Sequence, residues 1–173
     1  MYDQKKVDEF ILRSENIIES RNSDEAFLII SSEIDECENR YLNEFITVLN
    51  LIRHEKTLDW IENSAHRITN VGSNWGHLAA SSYFSWGKAD EWLTKGRPYS
   101  LIALDALAFC TTIGERSNQS PWMREIQPKL IGSPGPDKVA GRLQEYLQID
   151  STPRTKTVVN HIVANIFDPG SDL

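Results

Sequence analysis

The segment WLTKGRPYSLIALDALAFC, from Trp92 to Cys110, opens with residues that can bind an anion. Lys95 and Arg97 flank Gly96, and Pro98 follows directly before an apolar helical sequence. Free backbone N–H groups at a helix start, together with two cations, can bind a phosphate or a carboxylate. The alternative is a tight turn, in which Gly96 ends one helix in a left-handed conformation and Pro98 takes the first position of the next. We favour the turn, because every helix start has such N–H groups.

Asp105 is the only charged residue in the apolar sequence SLIALDALAFC. A carboxylate buried without a partner costs several kcal/mol, so we expect a hydrogen-bonded partner for it. Arg97 and a neighbouring backbone amide are the natural candidates. Paired buried acids more often stabilise packing than catalyse a reaction, which favours a structural role.

A second interpretation of this segment is a pocket for a small anion, in a helical ligand-binding protein or an enzyme. Its candidate ligand-binding residues are Lys95, Arg97, Tyr99 and Asp105. Further side chains from the preceding part of the chain would complete the pocket: Trp60, Trp75, His77, Trp86 and Trp92. The helical spacing of the tryptophans more simply places them in the core, and we prefer that interpretation.

An acidic run, SSEIDECENR, lies between Ser31 and Arg40. The helical pattern turns Ile34 and Cys37 inward, so the acidic side chains of the run point largely outward. No lysine at helical spacing neutralises them, and no structural role of these side chains offsets their mutual repulsion. We therefore predict that four acids bind a partner: Glu33, Asp35, Glu36 and Glu38.

The charge of the whole chain favours the same kind of partner. Residues 1–62 contain 15 acidic and 7 basic residues, whereas residues 63–173 contain 10 acidic and 11 basic ones. An acidic surface attracts basic proteins and repels nucleic-acid phosphates. Because no contiguous basic stripe occurs either, we expect a basic protein partner and no nucleic acid.

No motif in the sequence specifies catalysis, a metal or a cofactor. Glu62 and His66 stand four residues apart, but two ligands do not make a metal site. The chain has no HExxH or CxxC spacing, no GxSxG, no P-loop and no dinucleotide fingerprint. Cys37 is a poor candidate nucleophile, because Glu36 and Glu38 oppose thiolate formation. We expect a non-enzymatic protein without cofactor or metal.

The two cysteines and the hydropathy pattern bear on the compartment. Cys37 and Cys110 lie far apart in apolar helical sequence, which indicates reduced, buried thiols and hence the cytoplasm. The sequence contains no apolar run long enough for a signal peptide or a membrane span, so we expect neither export nor membrane association. The oligomeric state is not predicted.

Helical periodicity extends along the whole chain. A first amphipathic helix is expected over residues 3–20, and Ser23 and Thr57 are expected to cap two later helices. An unbroken helix over residues 24–53 would be about 45 Å long, so this stretch must break or the molecule is elongated. A bend is expected at Gly87. The last helix is predicted to begin at Pro153 after a Thr152 cap and to end near Phe167.

These patterns predict an all-α fold in a single domain, residues 1–173. It comprises an acidic helical part (1–70), a hairpin-repeat part (71–167) and a frayed tail (168–173). Pro98 and Pro153 each open the second helix of a hairpin, and such hairpins resemble the units of HEAT-like α-solenoids. The resemblance implies either a compact bundle of hairpins or a short solenoid with a concave binding surface.

By type, a compact acidic helical protein without catalytic motifs resembles the immunity proteins with which bacteria neutralise a cognate toxin. The resemblance implies that the partner is a toxin of a class that includes basic nucleases. It also implies that the acidic run covers the toxin's active cleft or mimics nucleic acid, with fast and salt-sensitive binding.

Overall fold

A computed structural model describes residues 3–112 and 128–166 of the chain. Within those ranges the fold is all-α, as predicted, and the only β structure is two isolated bridges, Ser85 to Ile131 and Thr112 to Ile166. The described part contains nine α-helices: α1 (Gln4–Ser20), α2 (Ser23–Glu36), α3 (Leu42–Phe45), α4 (Thr57–Ser64), α5 (Ser73–Ala80), α6 (Trp86–Lys95), α7 (Tyr99–Thr111), α8 (Pro136–Leu147) and α9 (Pro153–Asn165). Three 3-10 helices join them: Asn39–Tyr41, Ile46–Leu51 and Ala65–Arg67.

The long apolar stretch after residue 24 breaks, which is one of the two outcomes that its length left open. Helix α2 ends at Glu36, and Cys37 takes an extended conformation before a series of short helices. Arg67 stabilises this end of α2, since it donates to the carbonyl oxygens of Ile34 and Cys37 at 2.9 and 2.7 Å. The molecule therefore folds back at a point set by a residue 30 positions later in the chain.

Several helix starts lie one residue from the predicted position. Asn22 rather than Ser23 caps α2, with its side-chain oxygen accepting from the backbone N–H of Glu25 at 2.9 Å. Thr57 is the first residue of α4, not its cap. The expected bend at Gly87 is also wrong, because the chain breaks just before α6, which Ser85 caps, and Gly87 lies inside the helix.

The turn between α6 and α7 confirms the hairpin interpretation of the Gly96 segment. Gly96 has φ of +80° and ψ of −168°, so its φ is positive as expected, but its ψ is not that of a left-handed helix. Pro98 follows a cis peptide bond and is the cap of α7 rather than its first residue. Thr152 and Pro153 stand where they were predicted, at the cap and first position of α9. Phe167 and the tail 168–173 lie outside the described residues.

Helix α7 is the centre of a compact bundle and packs against α5, α6 and α9. Its closest contact is with α5, where a Cβ added at Gly76 would lie 2.3 Å from the Cβ of Asp105 and 2.9 Å from the backbone nitrogen of Ala106. Only glycine permits that approach. The buried apolar cluster runs from Val7 to Ile162, so residues from both predicted parts of the chain share it. No helix of the described part is both long and apolar enough to cross a bilayer.

Candidate functional site

A groove of about 300 Å³ lies against α1, α2 and the segment that follows α2, and we call it the acidic groove. Three of the four acids predicted to bind a partner line it: Glu33, Glu36 and Glu38. Glu9 of α1 joins them, and Lys6 and Arg13 lie on the α1 side. The helical hairpin of α1 and α2 thus gathers charged side chains that are distant in sequence.

The groove has an aromatic lining formed by Phe10, Tyr41 and Phe45, all of which are buried. Phe10 and Phe45 are stacked, with ring centroids 3.9 Å apart and an interplanar angle of 9°. Tyr41 stacks on Phe45 in turn, at 5.5 Å. Because these rings belong to the core, the surface beneath the carboxylates is apolar and fixed in position.

Basic side chains of the chain itself already approach this surface. Arg13 forms an ion pair with Glu33, and Arg40 pairs with Glu38 at 3.0 Å. The guanidinium carbon of Arg40 lies 4.9 Å from the ring centroid of Tyr41. A cation between a carboxylate and an aromatic face is a favourable arrangement, so the groove can bind guanidinium or ammonium groups.

These ion pairs correct the expectation that the acidic run lacks compensating cations. Arg13 and Lys6 come from α1, and Lys6 reaches Glu38 at 4.0 Å. Spacing along one helix could not show pairs between helices. Within the described residues, Glu36 makes no ion pair.

Asp35 has a different position from the other three acids. It is exposed and does not line the acidic groove, and it accepts a hydrogen bond from the indole nitrogen of Trp60 at 2.9 Å. This bond connects the end of α2 to α4. We therefore assign Asp35 a structural contact that the sequence pattern did not indicate.

The predicted anion pocket does not form as one site, because its residues have separate partners. Arg97 donates to Asp150 at 2.8 Å and to the Thr152 hydroxyl at 2.7 Å. Asp105 accepts from Arg154 at 3.2 Å. The expected pairing of Arg97 with Asp105 is wrong, since each meets a residue near the start of α9 instead.

The two remaining candidate ligand-binding residues support the α6–α7 hairpin. The Lys95 ammonium lies 4.5 Å from the ring centroid of Tyr99, and the Tyr99 hydroxyl donates to the backbone carbonyl of Glu62 at 3.2 Å. The Glu62 carboxylate accepts from Lys88 at 2.8 Å and from the Trp92 indole at 2.7 Å. Burial alone would raise the pKa of Glu62, but these two hydrogen bonds and the positive charges of Lys88 and Lys95 together lower it.

Three of the four tryptophans considered for the pocket lie in the core, as the preferred interpretation of their spacing predicts, and the fourth, Trp86, is half-buried against it. Trp75 and Trp92 are fully buried, and Trp60 is nearly so. Trp60 and Trp75 are stacked with centroids 6.0 Å apart, and the Trp75 indole donates to the Asn43 side chain at 2.7 Å. His77 is exposed beside Phe109.

The two cysteines and the possible metal ligands show no reactive or metal-binding arrangement in the part of the chain that the structure describes. Cys37 is half-buried and Cys110 fully buried, and both are free thiols. Burial raises the pKa of the Cys37 thiol, which Arg67 only partly offsets, and raises the pKa of Cys110 to about 12. Burial thus disfavours the Cys37 thiolate more than its acidic neighbours do. In the part of the chain that the structure describes, no three His, Cys, Asp or Glu side chains are placed to hold a metal.

The sequence interpretation missed the aromatic lining and the cations of the acidic groove. Helical periodicity predicts that Phe10, Tyr41 and Phe45 are core residues, but it does not show that their rings lie beside carboxylates. A signal was present in the basic residues Lys6 and Arg13 on the first helix, but only the α1–α2 register brings them to the acids. Comparisons with protein-family models, curated proteins and solved structures gave no match.

Proposed function

We propose that this protein is a non-enzymatic binding module that receives basic side chains of a protein partner in its acidic groove. The observation that carries the proposal is the arrangement of carboxylates above an aromatic lining, at which the chain's own Arg13 and Arg40 already sit. Exposed ion pairs of this kind are weak and exchangeable, so a partner's arginine or lysine can replace an internal one at little cost.

Two further features support a protein partner. The excess of acidic residues in positions 1–62 creates a field that accelerates the approach of a basic surface. Leu12 of α1 and Leu28 of α2 are 62% and 67% exposed, which gives the same two helices apolar area for an interface.

The resemblance by type to immunity proteins suggests the class of partner. We infer a cognate bacterial toxin with a basic active cleft, such as a nuclease, which the acidic groove would cover. The site of action would be the cytoplasm, where the toxin has to be neutralised. The separate partners of Arg97 and Asp105 give less support to the alternative in its predicted form, a single pocket around these two residues and the tryptophans.

The test reverses the charge of the groove acids without disturbing the fold. The variant Glu33→Lys/Glu36→Lys/Glu38→Lys leaves Asp35 in place, because Asp35 bonds Trp60. Its control, Glu55→Lys/Asp137→Lys/Glu145→Lys, makes the same change in net charge at exposed positions outside the groove. The partner is first obtained by pull-down or from the genetic neighbourhood, and association rates are then measured at low and high salt.

We expect the groove variant to associate at least tenfold more slowly at low salt, with a flatter salt dependence, while the control is slowed much less. Both variants should keep the circular dichroism spectrum of the wild type. Equal association rates for the two variants at every salt concentration would contradict the proposed interface.

A further inference from the structure

A second depression, of about 330 Å³, lies where the loop before α5 meets the α6–α7 turn and the start of α9. We call it the arginine depression, after Arg97 and Arg154. Its other main lining residues are Thr69, Asn70, Pro98 and Leu101. None of its lining residues is acidic, so the lining presents two guanidinium groups and no carboxylate, in a protein that carries a net charge of −7.

Both arginines are held in position by carboxylates that do not line the depression. Asp150 binds the Nε of Arg97 at 2.8 Å, and the Thr152 hydroxyl binds its Nη2 at 2.7 Å. Asp105 binds the Nη2 of Arg154 at 3.2 Å. The guanidinium groups therefore lose little side-chain entropy when they bind a ligand.

The anchoring bonds leave most donors of the two guanidinium groups available. Each guanidinium has five N–H donors. Within the described residues, Arg97 uses two of its nitrogens for hydrogen bonds and Arg154 uses one. The two side chains are 46% and 39% exposed, so a ligand in the depression can reach them.

We propose that the arginine depression binds a phosphomonoester, with the phosphate between Arg97 and Arg154. Paired guanidinium groups match the oxygens of a phosphate, because each can donate two parallel hydrogen bonds. The exposed Thr69 and Asn70 side chains offer further donors. Pro98 and Leu101 provide an apolar wall for the organic part, and the volume exceeds what a phosphate alone would fill.

This site differs from the anion site that the sequence suggested. There, the backbone N–H groups after Arg97 were the expected donors, with Lys95 beside them. In the structure Lys95 lies over the Tyr99 ring, and the second cation is Arg154 from α9. The proposal is independent of the acidic groove, since no residue lines both sites.

The test titrates the full chain with phenyl phosphate, inorganic phosphate and benzoate, and follows binding by calorimetry or by amide shifts in NMR. We expect saturable binding of phenyl phosphate, weaker binding of inorganic phosphate, and benzoate weaker than phenyl phosphate. No saturable binding of either phosphate would overturn the site. Benzoate bound as tightly as phenyl phosphate would overturn its assignment to phosphate.

Matched variants locate the binding. Thr69→Glu introduces a carboxylate at an exposed lining position and should weaken phenyl phosphate binding at least tenfold. Thr69→Gln introduces a neutral side chain of the same size as glutamate and should change the affinity less than threefold. Arg154→Lys should also weaken binding, because a lysine lacks the planar fork. Arg142→Lys is its control, since Arg142 binds Asp90 outside the depression. Equal affinities for Thr69→Glu and Thr69→Gln, with both folded by circular dichroism, would overturn the proposal.

Discussion

Two carboxylate–arginine pairs, Asp150–Arg97 and Asp105–Arg154, have similar geometry but opposite electrostatics. The bonds measure 2.8 and 3.2 Å, and the carboxylate side chains are 10% and 14% exposed. Yet the pKa of Asp150 is lowered and that of Asp105 is raised from the ordinary value. An ion pair and its exposure alone therefore do not determine which protonation state the fold favours.

The difference lies in the other groups around each carboxylate. Burial raises the pKa in both cases, but Asp150 also accepts from the backbone N–H and the hydroxyl of Thr152, at 3.2 and 2.8 Å. Asp105 lies on the apolar α7 helix against Gly76, with Arg154 as its hydrogen-bond partner. Additional hydrogen bonds to the charged form lower the pKa of Asp150, whereas desolvation raises the pKa of Asp105.

The largest effect on this comparison should come from Gly76→Ala, which forces the α5–α7 crossing apart beneath Asp105. The new Cβ would lie 2.9 Å from the backbone nitrogen of Ala106, and a change of rotamer cannot relieve a backbone contact. We expect a loss of about 3 kcal/mol in the free energy of unfolding, measured by urea denaturation.

Gly141→Ala is the control for that substitution. Gly141 also lies inside a helix, α8, but no atom outside the helix lies within 4 Å of an added Cβ. Alanine should stabilise this position by up to about 1 kcal/mol, because its helix propensity is higher. If both alanine variants had the stability of the wild type, the close approach at Gly76 would not limit the packing.

The second largest loss of stability is expected for Asp150→Asn, which removes the carboxylate that accepts hydrogen bonds from Arg97 and Thr152. The loss of charge-assisted hydrogen bonds should cost about 1–2 kcal/mol at neutral pH. Because the folded pKa of Asp150 is lowered, its stabilising contribution is complete above the ordinary value of 3.8 and disappears as the pH falls through the folded pKa. Urea titrations at several pH values should show the two proteins converging in stability below that value. A stability difference between the two proteins that stays constant down to the lowest pH would contradict its assignment to the charged Asp150 carboxylate.

Much of the fold could be predicted from the sequence, because helix formation depends on local periodicity. The hairpin at Gly96 and the start of α9 at Pro153 follow from the conformational limits of glycine and proline. The cap of α2 was misplaced by one residue, since Asn22 and Ser23 are both good caps. The length of the stretch left a break or an elongated molecule open. The break occurs after Glu36, where Arg67 bonds the carbonyl oxygens of Ile34 and Cys37, and no local rule connects Arg67 to this point.

The candidate sites were less predictable, because their contacts join distant segments. The outward direction of Glu33, Glu36 and Glu38 follows from the helical pattern, but their pairing with α1 does not. Arg97 and a neighbouring backbone amide were the two candidate partners of Asp105. The actual partner of Arg97 is 53 residues away and that of Asp105 is 49 residues away.

The smallest effect, and the sharpest test of the comparison, is expected for Asp105→Asn. Burial raises the pKa of Asp105 more than Arg154 lowers it, so the fold favours the protonated carboxyl. The corresponding stability is complete below the ordinary pKa and is lost as the pH rises through the folded pKa. Asparagine is neutral at every pH and retains an acceptor oxygen for Arg154, whose side chain is 39% exposed and can be solvated. At neutral pH the variant should therefore be as stable as the wild type or more stable by up to about 1 kcal/mol.

On acidification the wild type should gain stability relative to Asp105→Asn, whereas it should lose stability relative to Asp150→Asn. Parallel urea titrations of the two variants measure both trends, and trends of the same sign would show that hydrogen-bond number does not distinguish the two pairs.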